Sequence, residues 1–133
     1  MEVELGNIYY VKTSDDKDEI IHPYVVYEKI REEEYAICMI STNMKKAYWP
    51  GNIIIEKEES GLPKRSIVVV SKSGIIKKDK LENAIGRIGK ERLLEVIKEI
   101  TNLDNRIWTS PVLVDRKLSN FPFHHHWGLK AVP

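Results

Sequence analysis

The feature that most constrains the fold is an unbroken run of β-branched residues, Ile67 to Val70, near the middle of the chain. Such a run is typical of a strand covered on both faces, because a half-exposed strand would alternate apolar and polar residues. Gly61 and Pro63 precede the run in a turn, since glycine permits a positive φ and proline fixes its own. The run therefore predicts a central strand, for which the rest of the chain must supply neighbours on either side.

The residues after this strand predict a bend and then a short helix. Gly74 interrupts the β-branched path before a second pair of isoleucines, and glycine inside a strand pattern often marks a kink. Asp79 can cap a helix, and Gly86 can end one. We therefore expect a kink at Gly74 and a small helix over residues 79–86.

Other segments have the length and apolar content of strands. They cover residues 7–12, 24–30, 35–40 and 52–56. A longer helix is predicted from about residue 89 to Asn102, because Leu93, Leu94, Ile97 and Ile100 have the spacing of one helical face. The order of these elements, short strands followed by one late helix, is typical of a small antiparallel barrel or sandwich.

We therefore expect a mainly β protein with some α structure, in which residues 1–102 form one small SH3-like or OB-like barrel domain with its helix. Residues 103–133 differ in character, because they carry many large aromatic groups. Such groups are rarely left in water. This aromatic tail is expected to pack on the barrel or on a partner subunit.

The composition restricts the partners and the compartment. The net charge is +1, so any site for a polyanion must be a local basic patch. The single cysteine, Cys38, lies in an apolar run, which predicts a buried small side chain and excludes an intramolecular disulfide, as suits a reducing cytoplasm. No apolar run is long enough to span a bilayer and the acidic N-terminus lacks a signal-peptide core, so we expect a cytoplasmic protein without membrane contact.

Several short motifs, taken in their order, resemble the MazF/PemK family of toxins. Residues 6–8 (Gly-Asn-Ile) are similar to the family's opening Gly-Asp-Ile, and residues 22–23 (His-Pro) stand where the family has Arg-Pro before β-branched residues. Residues 40–43 (Ile-Ser-Thr-Asn) stand where it has a strand ending in Thr or Thr-Ser. The segments 66–70 and 86–88 follow the family's spacing closely, and the resemblance covers about residues 5–101.

This resemblance implies an SH3-like barrel of the MazF/PemK/CcdB type with a C-terminal helix, usually a homodimer. It implies an endoribonuclease of a type II toxin–antitoxin system that cleaves single-stranded RNA independently of the ribosome and without a cofactor. A small antitoxin would neutralise it by blocking the RNA groove. Two alternatives stay open: a catalytically weakened relative that acts by binding nucleic acid or protein, and a CcdB-like topoisomerase poison acting through its C-terminal residues.

This sequence departs from the family pattern at positions that matter for chemistry. His22 stands where the family has the strand-entry arginine that stabilises phosphate and transfers protons. Ser71 and Gly74 stand where an acidic residue and an arginine usually follow the central strand. The fold is therefore implied more safely than the activity.

The candidate catalytic residues follow from what metal-independent RNA cleavage needs. The 2′-OH requires a base, the 5′-oxygen an acid, and the phosphorane donors for its charge. His22 can serve as base or acid, because an imidazole titrates near neutrality. Ser41, or Thr42 if the register differs by one, can donate to the phosphate, and Lys64 and Arg65 can neutralise it. Each candidate has an ordinary alternative role. His22 would be a histidine in a turn, Ser41 and Thr42 would be hydroxyls that hydrogen-bond the end of a strand, and Lys64 and Arg65 would belong to a solvated turn.

The loop after the third strand places cations beside aromatic rings. Lys45 and Lys46 are followed closely by Tyr48 and Trp49. Single-stranded RNA is bound by such pairs, with charge for the backbone and ring faces for the bases. Anchoring of the two aromatic rings on the core is the competing interpretation.

Two segments have the composition of a metal site but not the spacing. The acidic loop 13–19 lacks the glycine turn and the spaced final glutamate of a calcium loop. Within His124–His126, adjacent side chains of an extended chain point to opposite faces, so only alternate residues could share an ion. A solvated loop and a structural or partner-facing tail are therefore expected, and no metal site is predicted.

Overall fold

The computed structural model describes residues 2–12 and 22–108, with side chains along the last helix as far as Leu103. Within these residues the chain forms one six-stranded antiparallel sheet and a long helix. The strands are β1 Asn7–Val11, β2 Pro23–Arg31, β3 Glu34–Ser41, β4 Ile53–Ile55, β5 Ser66–Lys77 and β6 Leu81–Arg87. The helices are α1 Lys57–Ser60 and α2 Lys90–Trp108, with 3-10 turns at Met44–Tyr48 and Lys78–Lys80. The acidic loop and residues 109–133 of the aromatic tail lie outside the described residues, whereas residues 103–108 belong to α2.

The predicted central strand is confirmed. The order across the sheet is β4-β5-β3-β2-β1-β6, and Ile67 to Val70 of β5 are fully buried between β4 and β3. The irregularity in β5, however, does not fall at Gly74, which pairs with Ile37. The prediction of a kink there is wrong.

The irregularity lies three residues earlier, because the register moves from Met39↔Val69 directly to Cys38↔Ser73. Side chains fix this bulge: Asn52 accepts from the Val70 amide at 3.0 Å, and the Cys38 thiol donates to the Val69 carbonyl at 3.1 Å. The extra residues reverse the alternation, and the strand continues through Gly74 unbroken.

The predicted helix over residues 79–86 is wrong. A 3-10 turn covers Lys78–Lys80, and the following residues form β6 along the free edge of β1. Pairing begins at Val11↔Leu81 and places the Leu81 side chain in a buried cluster with Tyr9 and Val11. Tertiary pairing therefore outweighs the local capping pattern.

The amphipathic helix is confirmed, but its buried face and its end differ from the prediction. Leu94 is 56% exposed, whereas Val96 is fully buried and Ile100 nearly so. The face therefore consists of Leu93, Val96, Ile97, Ile100 and Leu103, so three of the four predicted positions are confirmed, and the helix continues past Asn102 to Trp108. By spacing alone either Leu93 or Leu94 could belong to the buried face of the helix. Leu93 belongs to it because Leu93 contacts the main core.

The sheet has two covered faces, and the difference between them positions the site. On one face Val68, Val70 and Ile40 belong to the main core, which α2 covers. On the other face Ile67 and Val69 pack with Met39 in a second cluster. Because neighbouring residues of a strand point to opposite sides of the sheet, a side chain packed on one cluster is separated by the sheet from the other cluster.

The two edges of the sheet are brought near each other by the segment that follows β4. A Cβ atom added at Gly86 of β6 would lie 2.6 Å from the Ser60 carbonyl oxygen and 3.1 Å from Leu62. The chain around residues 60–62 therefore lies directly against β6. Among the described strands β4 and β6 remain the two edges of the sheet. The sheet and its helix are therefore established, whereas closure of the sheet into an SH3-like barrel stays a prediction.

Candidate functional site

A groove of about 210 Å³ opens at one end of the main core. Its lining residues come from β1, the starts of β2 and β5, the end of β3, the turn before β5, and β6. They are Tyr10, His22, Pro23, Ile40, Thr42, Leu62, Pro63, Lys64, Ser66 and Ile85. The lining residues therefore combine apolar groups with one histidine, two aliphatic hydroxyls, one phenol and one lysine.

Antiparallel pairing explains why residues far apart in sequence meet here. Tyr24 pairs with Met39, which puts the start of β2 beside the end of β3. Ser41 pairs with Ile67, which puts the start of β5 beside the same end. The residues just outside these strand ends, His22, Thr42 and Lys64, therefore line one groove.

The two candidate hydroxyls have different surroundings. Thr42 is exposed and lines the groove. Ser41 is 3% exposed, and its Oγ accepts a hydrogen bond from the Asn43 amide at 3.1 Å. Ser41 thus shapes the chain reversal that carries Thr42.

The two cations of the turn before β5 also differ. Lys64 is exposed and lies on the wall of the groove. Arg65 is not among the described residues that line the groove, and its Nε lies 3.0 Å from Glu56 Oε2. The structure therefore brings Lys64 to the groove and gives Arg65 a partner on the neighbouring helix.

The aromatic loop lies beside the groove and not inside it. Asn43 Oδ1 accepts from the Lys45 amide at 3.1 Å and so caps the 3-10 turn that Met44 begins. That turn packs on the cluster of Met39, Ile67 and Val69, on the face of the sheet opposite the main core.

The outer side of this turn carries the predicted cations and rings. Lys46 Nζ lies 5.6 Å from the centroid of the Trp49 ring, a cation–π distance. Tyr48 is 90% exposed and Trp49 is 45% exposed. Met44 and Ala47 are therefore the residues that anchor the 3-10 turn on the cluster, and both rings and Lys45 remain accessible.

Sequence reasoning missed the apolar part of the lining. Tyr10 follows Ile8 by two residues in β1, which places it on the same face, and it pairs with Pro23 beside His22. Leu62 and Ile85 complete this apolar lining from the two sheet edges. The alternation of inward and outward side chains along β1 could have indicated that Tyr10 lines the groove. Ile85 could not be recognised in the same way, because a helix and not a strand was predicted for its segment.

Two other features could have competed with the groove. A larger depression of about 680 Å³ lies at the opposite end of β3, and every residue lining it, from Arg31–Glu34 and Lys77–Asp79, is charged. Cys38 is fully buried, and burial raises the pKa of its thiol far above the usual range, so it is not a nucleophile. Across residues 2–12 and 22–108 no group of three or more His, Cys, Asp or Glu side chains could hold a metal ion.

Comparison with known proteins places the chain in a family. The profile of a family described as the PemK-like, MazF-like toxin of type II toxin–antitoxin systems matches residues 4–103. This chain belongs to that family. The resemblance read from the motifs over residues 5–101 is thereby confirmed.

A solved structure supports the same fold for this PemK-like chain. The Mycobacterium tuberculosis toxin MazF-mt6 is similar to it, with a TM-score of 0.56 and 17% sequence identity. The match covers 72% of this chain and 93% of that toxin. No curated protein matches the sequence. The helices of the described residues include none that is long and apolar enough to cross a bilayer.

Proposed function

We propose that this PemK-like chain is an endoribonuclease that cleaves single-stranded RNA by metal-independent attack of a 2′-OH on the adjacent phosphorus. The observation that carries the proposal is the meeting of His22, Thr42 and Lys64 on one groove. His22 can make one of the two proton transfers that the reaction needs. Thr42 and Lys64 can supply the donor and the positive charge that stabilise the phosphorane.

In the proposed reaction the 2′-oxygen forms a bond to phosphorus and the bond from phosphorus to the 5′-oxygen breaks. The products are a 2′,3′-cyclic phosphate and a free 5′-hydroxyl. His22 either removes the 2′-proton or protonates the leaving oxygen, and solvent makes the other transfer. Thr42 donates to a non-bridging oxygen, and Lys64 offsets the charge of the phosphorane.

The flanking residues bind the strand in this proposal. Lys45 and Lys46 contact the backbone outside the groove, and the exposed rings of Tyr48 and Trp49 stack on bases. Base stacking on an aromatic side chain contributes about 1–3 kcal/mol per base. Arg65 is assigned to the rim of the groove, where it exchanges Glu56 for phosphate, and Ser41 supports the turn that carries Thr42.

The family also supplies proposals for partners and location. We propose a homodimer in the cytoplasm that a small antitoxin protein inhibits. Sedimentation at increasing concentration tests the dimer, and a strict monomer at high concentration would contradict it. An adjacent open reading frame for a small protein that blocks cleavage tests the antitoxin.

The test of the activity is incubation of purified protein with single-stranded RNA in a metal chelator. The expected fragments end in 2′,3′-cyclic phosphate, and His22→Ala should abolish them. Lys98→Ala, at an exposed position of α2 that does not line the groove, is the control and should cleave normally. Equal cleavage by the His22 variant would remove His22 from the mechanism.

Binding without cleavage is the second candidate, and the lining of the groove favours it. Six of the ten lining residues are apolar, and His22 is the one imidazole among them. Such a protein would retain RNA on Tyr48, Trp49 and the groove but give no fragments from several unrelated RNAs.

Salt dependence distinguishes the role of Lys64 in either case. Each phosphate contact to single-stranded nucleic acid adds about 0.7 to the slope of log affinity against log salt concentration. Lys64→Ala should therefore lower that slope by about 0.7. An unchanged slope would show that Lys64 does not contact phosphate.

A further inference from the structure

The wall of the groove that carries Lys64 belongs to a short segment, residues 56–65, whose ends are tied together. Glu56 Oε2 lies 3.0 Å from Arg65 Nε, which closes the segment on itself. Inside it, Glu59 Oε2 accepts from the Glu56 amide at 3.0 Å as part of a capping box. Gly61 ends α1 with a φ of 77°, and the chain then turns into the wall.

A single side chain of α2 binds this segment by a two-point contact. Arg92 Nε lies 3.0 Å from Glu59 Oε1, and Arg92 Nη2 lies 3.1 Å from Glu59 Oε2. The two side chains are only 32% and 30% exposed. The hydrogen bonds from Arg92 also lower the pKa of Glu59. A bidentate, half-buried pair fixes orientation as well as distance, unlike a typical surface ion pair.

The position of this pair matters because the wall has no strand partner of its own. Residues 61–65 lie outside the strand pairing, between α1 and β5. Leu62 is buried against the core, and its amide donates to Ser60 Oγ at 3.1 Å. Lys64 is two residues further along and exposed. The Lys64 carbonyl accepts from Ser66 Oγ of β5 at 2.9 Å, so α1 on one side and β5 on the other fix its distance from the opposite wall.

We propose that Glu59 and Arg92 are positioning residues that hold the wall so that Lys64 faces His22 and Thr42 across the groove. Neither residue lines the groove, so their effect on a bound strand passes through Lys64. The effect of the pair on RNA rests on the proposed function, whereas the holding of the wall is a property of the free protein.

The first experiment measures the wall in the free protein by amide hydrogen exchange. Glu59→Gln and Arg92→Gln should each speed exchange at residues 61–65 severalfold and leave β3 unchanged. Glu95→Gln is the matched control, because Glu95 binds Arg92 from the same helix without touching α1. Unchanged exchange at 61–65 in both test variants would overturn the proposal.

The second experiment measures the consequence for RNA. Glu59→Gln and Arg92→Gln should each lower kcat/KM about fivefold, through a lower kcat as well as a higher KM, because Lys64 both contacts the bound strand and offsets the charge of the phosphorane; Arg92→Lys should recover part of the loss. In a Lys64→Ala background the same changes should have no further effect, because the positioned group is absent. Effects of equal size in both backgrounds would overturn the role of Lys64.

The outcomes separate this proposal from the proposed function. If the wild-type chain binds RNA but does not cleave it, the dissociation constant of the RNA replaces kcat/KM in the same comparison. If it neither binds nor cleaves single-stranded RNA, the proposed function fails and the positioning role toward RNA fails with it, even where exchange at 61–65 has shown that the pair holds the wall.

Discussion

The close contact between Gly86 of β6 and the end of α1 offers a sharp test of how the groove is built. At Gly86 a Cβ atom would lie 2.6 Å from the Ser60 carbonyl oxygen. Contacts under about 3 Å do not occur for real Cβ atoms, and the oxygen belongs to backbone, so Gly86→Ala must move α1 or β6. The Leu62 side chain lies 3.1 Å from the same Cβ position, so the added methyl group cannot shift toward Leu62 either.

The cost follows from the kind of contact. Overpacking in a well-filled site typically costs about 1–3 kcal/mol, which for a chain of this size lowers the melting temperature by roughly 4–12 °C. The displaced segment leads into the wall that carries Lys64, so the cleavage efficiency should fall as well, since a misplacement of about 1 Å can cost up to ~100-fold.

Gly89→Ala is the matched control, because a Cβ there meets nothing within 4 Å. Its stability should stay within about 0.5 kcal/mol of the wild type, since the loss at the start of α2 and the gain from a stiffer unfolded chain nearly cancel. Thermal unfolding followed by circular dichroism measures both variants. Equal melting temperatures for Gly86→Ala and the wild type would refute the reasoning, as would a comparable loss in Gly89→Ala.

Other predictions concern the helix, the thiol and the ion pair. Val96→Ala should cost about 2 kcal/mol because Val96 is fully buried, whereas Leu94→Ala should change stability by less than about 0.5 kcal/mol; urea unfolding would measure both, and the reverse order would contradict the buried face. Cys38 should resist alkylation until the protein unfolds, so rapid labelling of the native chain would show that it is accessible. Since Arg92 lowers the pKa of Glu59 in the folded state, the stabilisation by the pair is complete above the unfolded pKa of about 4.3 and is lost as the pH falls through the lower folded pKa. The stability difference between wild type and Glu59→Gln should therefore shrink in acid, and a constant difference would contradict the pairing.

The strands could be predicted from sequence because their signal is local. The run Ile67 to Val70 needs no knowledge of its neighbours to indicate a doubly covered strand. Residues 81–87 carry no comparable signal, since Leu81 and Ile85 fit a helix as readily as a strand. The free edge of β1 makes them a strand, and that edge exists only in the folded sheet.

The same limit applies to the site. His22, Thr42 and Lys64 were identified through the order of the motifs, and antiparallel pairing then brings them to one groove. The distinction between Ser41 and Thr42 depends on burial in the folded protein, and the partner of Arg65 depends on where the N-cap of α1 lies. Neither can be obtained from residue types alone.

The groove as the RNA-binding site is tested most directly by solution NMR of the chain with a single-stranded RNA whose 2′-oxygens are methylated, so that it binds without reacting. The imidazole signals of His22 and the amides of Thr42 and Lys64 are expected to shift together as the RNA is added. Saturable binding that leaves the His22 signals unchanged would contradict this expectation, because the strand would then lie outside the groove.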